Sequence, residues 1–459
     1  MKNLTLKAIA QATSGQLVYP DNYEVNESME VAGVINDNRG VQPGYLFVPM
    51  VGARVDGHDF IADAAGRGAC ATLSQRSLTD PIIPYILVED TKLALKQIAT
   101  YYRQQLTIPV IGVVGSVGKT STKEMLASVL GVHFNVLKTE GNFNNEIGLP
   151  LTICRIRDEH QVAVVEMGIS DFGEMHRLGD IARPDFVVMT NIGQCHLEFL
   201  KTRDGILKAK TEVFEHMPPT GTVVLNGDDD KLINADTLGL KKIFYGTHGQ
   251  EISARDIAAD GITGTRALFN ARGTEFTVTI PLPGEHNVMN GLAAIAVALE
   301  LGMSIDEIKQ GLASAATIAG RNNVIKAGQV TIIDDCYNAN PVSMRASIEV
   351  LSKAEGRTVA VLGDMGELGA DEKRLHYGLG QALNDNNIDV CFTAGSLSAE
   401  IARALSDMDS SCQSHHFDTA EAMLPQLLDF IKPGDTVLVK ASHFMQFGKI
   451  VDALKAKLQ

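Results

Sequence analysis

The sequence predicts an α/β protein of three domains, and three observations carry that prediction. Its 459 residues exceed what one core usually holds and suit about three domains of common size. Around residue 110 an apolar run passes through a glycine-rich turn into helical spacing, which reads as strand, loop and helix. From about residue 317 strands and helices alternate, which predicts a doubly wound, mostly parallel sheet.

The stretch from Ile111 to Met125, IGVVGSVGKTSTKEM, organises the rest. Val110, Ile111, Val113 and Val114 run into glycines, and Met125/Val129 and Leu126/Leu130 then fall four apart on a helix. Such a turn points successive N–H groups and a helix N-terminus at one spot, which suits a polyphosphate. Lys119 supplies a mobile positive charge, and the Thr120 hydroxyl beside it can hold Mg²⁺. The glycines are Gly112, Gly115 and Gly118, so the pattern is GxxGxxGKT, off the usual phosphate-loop spacing. A dinucleotide fingerprint fails for want of GxG. A glycine-rich turn without a ligand is the alternative, and the order strand, Lys, Thr, helix weighs against it.

A formal charge of −15 with no basic run argues against a nucleic-acid surface, since phosphate backbones need clustered Lys and Arg. Any polyanion must therefore be held locally. Six cysteines without a CxxC pair fit reduced thiols in a cytosol. The N-terminal MKNLTLKAIAQATSG lacks the apolar core of a signal peptide, and no stretch is long and apolar enough to span a membrane. A cytoplasmic protein is expected.

In residues 1–105 the informative part is VINDNRGVQPGYLFVPMVGARVDGHDF, with a short strand at Leu46–Val48. Arg39, Arg54 and His58 there either grip an anion or are solvated loop residues. Residues 106–316 hold the glycine stretch and then TEGNFNNEIGLPLT, whose Asn142, Asn144 and Asn145 either stabilise turns or bond a ligand. Val162–Val165 reads as a buried strand ending in Glu166, where Mg²⁺ is usually held beside a phosphate loop. A second strand, Phe186–Met189, leads to His196, whose position favours a ligand. Lys210 shares a helical face with Ile206 and Phe214, so it either snorkels or is kept for chemistry. Thr222–Asn226 and Thr274–Ile280 read as strands, and Asn287 and Asn290 open an alanine-rich helix either as caps or facing a purine.

Residues 317–459 predict strands at 330–334, 358–363, 389–394 and 436–440. Helices are expected at 342–354, 371–384, 398–406, 419–431 and 443–457. Polar residues gather after the strands: Asp334, Asp335, Tyr337, Asn338 and Asn340, then Gly363, Asp364 and Met365, then Lys440 and Ser442. Ligands sit at such carboxyl ends. Two α/β domains with polar strand ends suggest a nucleotide shared across a cleft.

The segments GVVGSVGKTSTK, TEGNFNNEIGLPLT, VVEMGISDFGEM, TNIGQCHLE, LKAKTEVF, GEHNVMN, AGRNNV, DDCYNANPVSM and VLGDMGELG together resemble the Mur ligases of peptidoglycan synthesis over essentially the whole chain. YNANP is the discriminating piece. The resemblance implies an ATP-dependent ligase forming a carbon–nitrogen bond, joining D-alanyl-D-alanine to UDP-N-acetylmuramoyl-tripeptide through an acyl phosphate. It implies a small α/β domain for the UDP-sugar at 1–105, a central P-loop ATPase-type parallel sheet at 106–316, and a Rossmann-like domain at 317–459 for the incoming dipeptide. A monomer acting on small molecules is expected.

Carried over residue by residue, the resemblance gives Gly112, Gly115, Ser116, Val117, Gly118, Lys119, Thr120 and Ser121 to the ATP phosphates. His286, Asn287 and Asn290 would contact adenine, Arg321 would reach the γ-phosphate, and Asp335 would stand beside the nucleotide. Two Mg²⁺ ions are implied, one on Thr120 and Glu166, the other on His196 and Lys210. Lys210 would be carbamylated, which turns a cation into a carboxylate that supports Mg²⁺. Lys119, Glu166, His196 and Lys210 are then the catalytic set. Asp37, Asn38, Arg39, Arg54, His58, Asn142, Asn145, Tyr337, Asn338, Asn340, Lys440 and Ser442 are the candidate substrate contacts.

Three positions depart from the family pattern. Asp37-Asn38-Arg39 stands where DSR is usual, Lys440-Ala441-Ser442-His443 where KGSR is usual, and Val117 where asparagine is common. The rival readings are a sister ligase adding one amino acid, a ligase acting on another cell-wall substrate, and a nucleotide-dependent switch without catalysis.

Overall fold

The computed structural model describes residues 1–21 and 23–458. Among them, strands form three sheets of five, nine and six members, and the protein is an α/β chain of the expected class.

The first sheet runs Gln16–Val18, Tyr85–Leu87, Ala71–Ser74, Tyr45–Phe47, Gly33–Ile35, parallel except where Gln16–Val18 meets Tyr85–Leu87. The strand expected at Leu46–Val48 thus starts one residue earlier. The helix Thr91–Arg103 leads out of this sheet toward the second.

Parallel strands make up most of the second sheet, in the order Val136–Lys138, Val162–Glu166, Val110–Val114, Phe186–Met189, Thr222–Asn226, Lys241–Gly246, Ile252–Asp260. Gly264–Ala271 and Thr274–Ile280 extend it by antiparallel pairing. Val110–Val114 is buried throughout because both faces are covered. Ile111 and Val113 meet Leu126, Leu292 and Ile295 on one side, whereas Val110 and Val114 face the core shared with the first sheet. The carboxyl ends of these central strands are therefore left as the open edge.

The third sheet runs Asn323–Ala327, Val330–Asp334, Thr436–Lys440, Thr358–Gly363, Val390–Ala394, Gln413–Phe417, all parallel but the first. It is doubly wound. Met344, Ile348, Leu379 and Ile401 cover one face, Met423, Leu427, Ile450 and Leu454 the other.

The chain departs from expectation at three places. Gln413–Phe417, read as a connection between two helices, is an edge strand whose polar QSHHF lacks apolar alternation. The helix expected at 443–457 is a short 3₁₀ turn, His443–Met445, then Gly448–Leu458. Gln446 adopts φ 53° between them, a left-handed conformation that ends helices, and Phe447 drops into the core. Asn323–Ala327 was not anticipated at all; it pairs antiparallel with Val330–Asp334 through a tight turn.

Candidate active site

The glycine stretch closes the strand Val110–Val114 and opens the helix Lys119–Leu130. Gly118 precedes that helix at φ 84° with no side-chain cap, so the first-turn N–H groups are left for a ligand. Gly115 adopts φ 155°, and a Cβ there would lie 1.9 Å from Thr190 Oγ1. Only glycine fits.

The loop is tied to the end of the neighbouring strand. Ser116 N–H donates to the Asn191 carbonyl at 3.0 Å, and Val117 N–H donates to Asn191 Oδ1 at 3.0 Å. The Val117 carbonyl accepts from Thr190 Oγ1 at 2.6 Å and Asn191 Nδ2 at 3.1 Å. Lys119 Nζ donates to the Gly115 carbonyl at 2.9 Å. Gly112 is a correction: it sits inside the strand with its α-carbon facing Met167 and Pro184, and it does not line the cavity described below.

Glu166 ends the adjacent strand. Its Oε1 accepts from Asn144 Nδ2 at 2.7 Å, while its buried Oε2 has no hydrogen-bond partner. A buried carboxylate oxygen without a donor is unfavourable unless a cation meets it. His196, at φ 52°, follows the next strand. Its Nδ1 lies 2.6 Å from Glu367 Oε2, a charge contact that falls short of a well-formed hydrogen bond. Burial lowers the His196 pKa, and Glu367 partly opposes this.

Lys210 is 1% exposed. Burial pushes its ammonium down to about 8, with Cys195 opposing and Lys119 adding, and no carboxylate is among the groups that shift it. Its side chain does not line the cavity described next.

One cavity of about 690 Å³ gathers the phosphate loop, Glu166 and His196. Ser116 to Ser121, Glu166 and His196 line one side. His286, Asn287 and Asn290 line another, from the start of the helix Glu285–Glu300. Asn287 Nδ2 donates to the Pro283 carbonyl at 2.8 Å, Asn290 Nδ2 to Asn287 Oδ1 at 3.1 Å, and Thr122 Oγ1 to Asn290 Oδ1 at 2.8 Å. These bonds fix both amides in place. Burial holds His286 below the usual imidazole range.

The third sheet supplies the facing wall. Arg321 lies with its guanidinium 4.1 Å above the Tyr337 ring and donates to Thr120 Oγ1 at 3.3 Å. Asp335 and Lys440 form a buried ion pair at 2.6 Å. Ser347 and the Asn322 N–H also bond that carboxylate. Lys440 further donates to the Asn338 carbonyl at 3.0 Å, so its protons are spent on shaping the wall.

Against known proteins, residues 30–111 match the Mur ligase family catalytic domain, 113–298 the Mur ligase middle domain, and 320–443 the Mur ligase glutamate ligase domain. The UDP-N-acetylmuramoyl-tripeptide–D-alanyl-D-alanine ligase of Bacillus subtilis is 39% identical over 98% of both chains. That of Escherichia coli is 35% identical over 99% of both. The chain belongs to the Mur ligase family. Among solved structures, MurF from Acinetobacter baumannii superposes with a TM-score of 0.89 at 32% identity over 98% of both chains. MurF ligase from Thermotoga maritima in complex with ADP gives 0.81 at 32% identity, over 93% of this chain and 97% of that one.

In this Mur ligase, several residues singled out from sequence have local work. Asn340 caps the helix Pro341–Ser352 in a mutual bond pair with Ser343 while still lining the cavity, and the Asn338 side chain folds onto the Ala339 N–H. Asn145 Oδ1 accepts from Ile147 and Gly148, the turn-stabilising alternative, and also lines the wall. Asn142 is exposed and off the cavity. Ser442 is buried off the wall, accepting from the Gly366 N–H at 2.9 Å.

The five N-terminal candidates lie outside the cavity. Asp37 holds Arg39 in a two-pronged ion pair, and Asn38 donates to Asp63. Arg54 is exposed in its loop. His58 is a correction: its ring is buried with Nδ1 on Asp56 at 2.6 Å and Nε2 accepting the Gln75 N–H at 3.1 Å, leaving nothing for an anion. Sequence reasoning passed over Asn191, Thr190 and Glu367. Asn191 and Thr190 stood in the quoted segment TNIGQCHLE, and a polar pair at a strand end beside the loop was the available signal.

Proposed function

We propose that this Mur ligase uses ATP to join D-alanyl-D-alanine to UDP-N-acetylmuramoyl-tripeptide in peptidoglycan precursor synthesis. The observation that carries the reading is a single cavity in which the phosphate loop, the unpartnered Glu166 Oε2 and the Tyr337–Asn340 turn share walls. The names of the full-length relatives from Bacillus subtilis and Escherichia coli support the substrates.

Residues 106–316 hold ATP, residues 317–459 the dipeptide, and residues 1–105 the UDP-sugar, with Asp37, Asn38, Arg39 and Arg54 as its polar contacts. The tripeptide carboxylate attacks the γ-phosphorus, the bridging bond to the β-phosphate breaks, and ADP leaves. The amine of D-alanyl-D-alanine then attacks the acyl carbon, the bond to phosphate breaks, and the nitrogen loses a proton. Lys119, the uncapped helix N-terminus and Arg321 hold the charge that spreads over the transferring group. Closure of the third sheet's domain over the centre excludes water from the acyl phosphate.

The donor set fits Mg²⁺: Thr120 and Glu166 would hold one ion and His196 with a carbamylated Lys210 a second. Bound there, the cations neutralise phosphate charge. Carbamylation suits Lys210 because its buried, unpaired amine reaches the neutral form easily. The neutral nitrogen attacks CO₂, an N–C bond forms, and one proton is released. A monomer acting in the cytoplasm completes the reading, and six free thiols support that compartment.

ADP release measured with UDP-N-acetylmuramoyl-tripeptide, with and without D-alanyl-D-alanine, tests the reading. Sustained turnover only when the dipeptide is present is the expected result. Turnover indifferent to the dipeptide overturns it.

A further inference from the structure

Away from the cavity, the helix Glu174–Ala182 packs against the 3₁₀ turn Glu212–His216. Glu212 already joins the two, accepting from the Gly173 N–H at 3.1 Å and the His176 N–H at 3.2 Å. One turn further on, His176 Nδ1 lies 2.9 Å from Glu215 Oε2 and 3.1 Å from His216 Nε2. The three atoms all fall within 4.8 Å of one another.

Protons alone do not satisfy this arrangement. A ring nitrogen carries either a hydrogen or a lone pair, so His176 Nδ1 cannot donate fully to the carboxylate and accept from the second imidazole at once. One of the two short contacts is left without a well-formed hydrogen bond in every neutral tautomer. A cation at the centre resolves the conflict, because all three atoms then present lone pairs to it.

We propose that His176, Glu215 and His216 form a binding site for a borderline-soft divalent ion of the Zn²⁺ class. Two imidazole nitrogens and one carboxylate oxygen suit Zn²⁺, Ni²⁺ or Cu²⁺ rather than Mg²⁺. Bonds of about 2.0–2.1 Å in a tetrahedral site place ligand atoms roughly 3.3 Å apart, close to the 2.9 and 3.1 Å of the two contacts that His176 Nδ1 makes. His176 and Glu215 side chains are half exposed, which leaves the fourth position to water. Behind the cluster, Asp180 Oδ1 stands 3.8 Å from His216 Nδ1 and accepts from Arg183 at 3.1 Å, so it lends the site negative charge from a distance.

The ion would add a second tie between the helix after Glu166 and the segment after Lys210. It belongs to this chain's own surface and is separate from the phosphate cavity.

The test is calorimetric titration of the chelator-treated full chain with Zn²⁺, in excess Mg²⁺ so that oxygen-donor sites are filled. Co²⁺ titration followed by absorbance reports whether thiolates take part. The expected result is one ion bound per chain, Co²⁺ bands without thiolate charge transfer, and affinity lowered about tenfold or more in both His176→Ala and His216→Ala. Absence of binding overturns the proposal, as does affinity unchanged in the two variants or a thiolate band that persists in them.

Discussion

Glu367 Oε2 stands 2.6 Å from His196 Nδ1, and the two residues come from different sheets. Each sits in the left-handed region, at φ 60° and φ 52°, a conformation that costs a non-glycine residue about 1–2 kcal/mol. Nearby, Gly369 approaches the Glu198 backbone and Gly193 the Val342 side chain. The loop carrying Glu367 is therefore a contact of the third sheet's domain with the His196 segment.

Glu367→Gln keeps the shape and removes the charge facing His196. Turnover should fall about tenfold, the usual effect of losing a carboxylate behind a functional imidazole, while ADP affinity stays unchanged. Steady-state ADP release alongside ADP titration separates the two, and equal losses in both would refute a positioning role.

Gly115→Ala sets a Cβ against Thr190 Oγ1, which already donates to the Val117 carbonyl. Forcing atoms into such space destabilises by about 1–3 kcal/mol. Thermal unfolding should show the loss, and ADP binding should weaken with it because the loop's anchor is displaced.

Lys210→Ala should lower turnover about 10²-fold or more, as when a group holding transition-state charge is removed. Short carboxylates added to the assay should restore part of it. Loss without any rescue would remove the carbamate from the reading of this site.

Glu307 accepts from Ser304 and His133 at the start of the helix Ile305–Ala313. These bonds, His133 first, depress its carboxyl from 4.5 to about 2. A depressed carboxyl contributes stability in full above its unfolded value, and that share is lost as pH falls toward about 2. The stability difference between the wild type and Glu307→Gln should thus shrink as pH falls below about 4.5. Urea unfolding of both proteins across that range measures it.

What the sequence made readable follows from periodicity and burial. Val110–Val114 and Val162–Glu166 are buried on both faces, so unbroken apolar runs marked them, and their polar ends marked the sheet edge. Gln413–Phe417 was hidden because an edge strand needs no apolar stripe, and the break at Gln446 because a single left-handed residue leaves the spacing of Ile450 and Leu454 intact. Contacts such as Glu367 with His196 join positions 171 residues apart. No local pattern encodes them; they exist only once the two sheets meet. His58 misled for the opposite reason, since a polar, glycine-punctuated loop concealed a ring needed inside.

The bonds from Thr190 and Asn191 engage the main chain at position 117 from both sides and ask nothing of its side chain. Valine is tolerated there for that reason. A nucleotide entering the cavity meets a mould already set by the neighbouring strand, and its affinity is not drawn down by having to freeze a wandering loop.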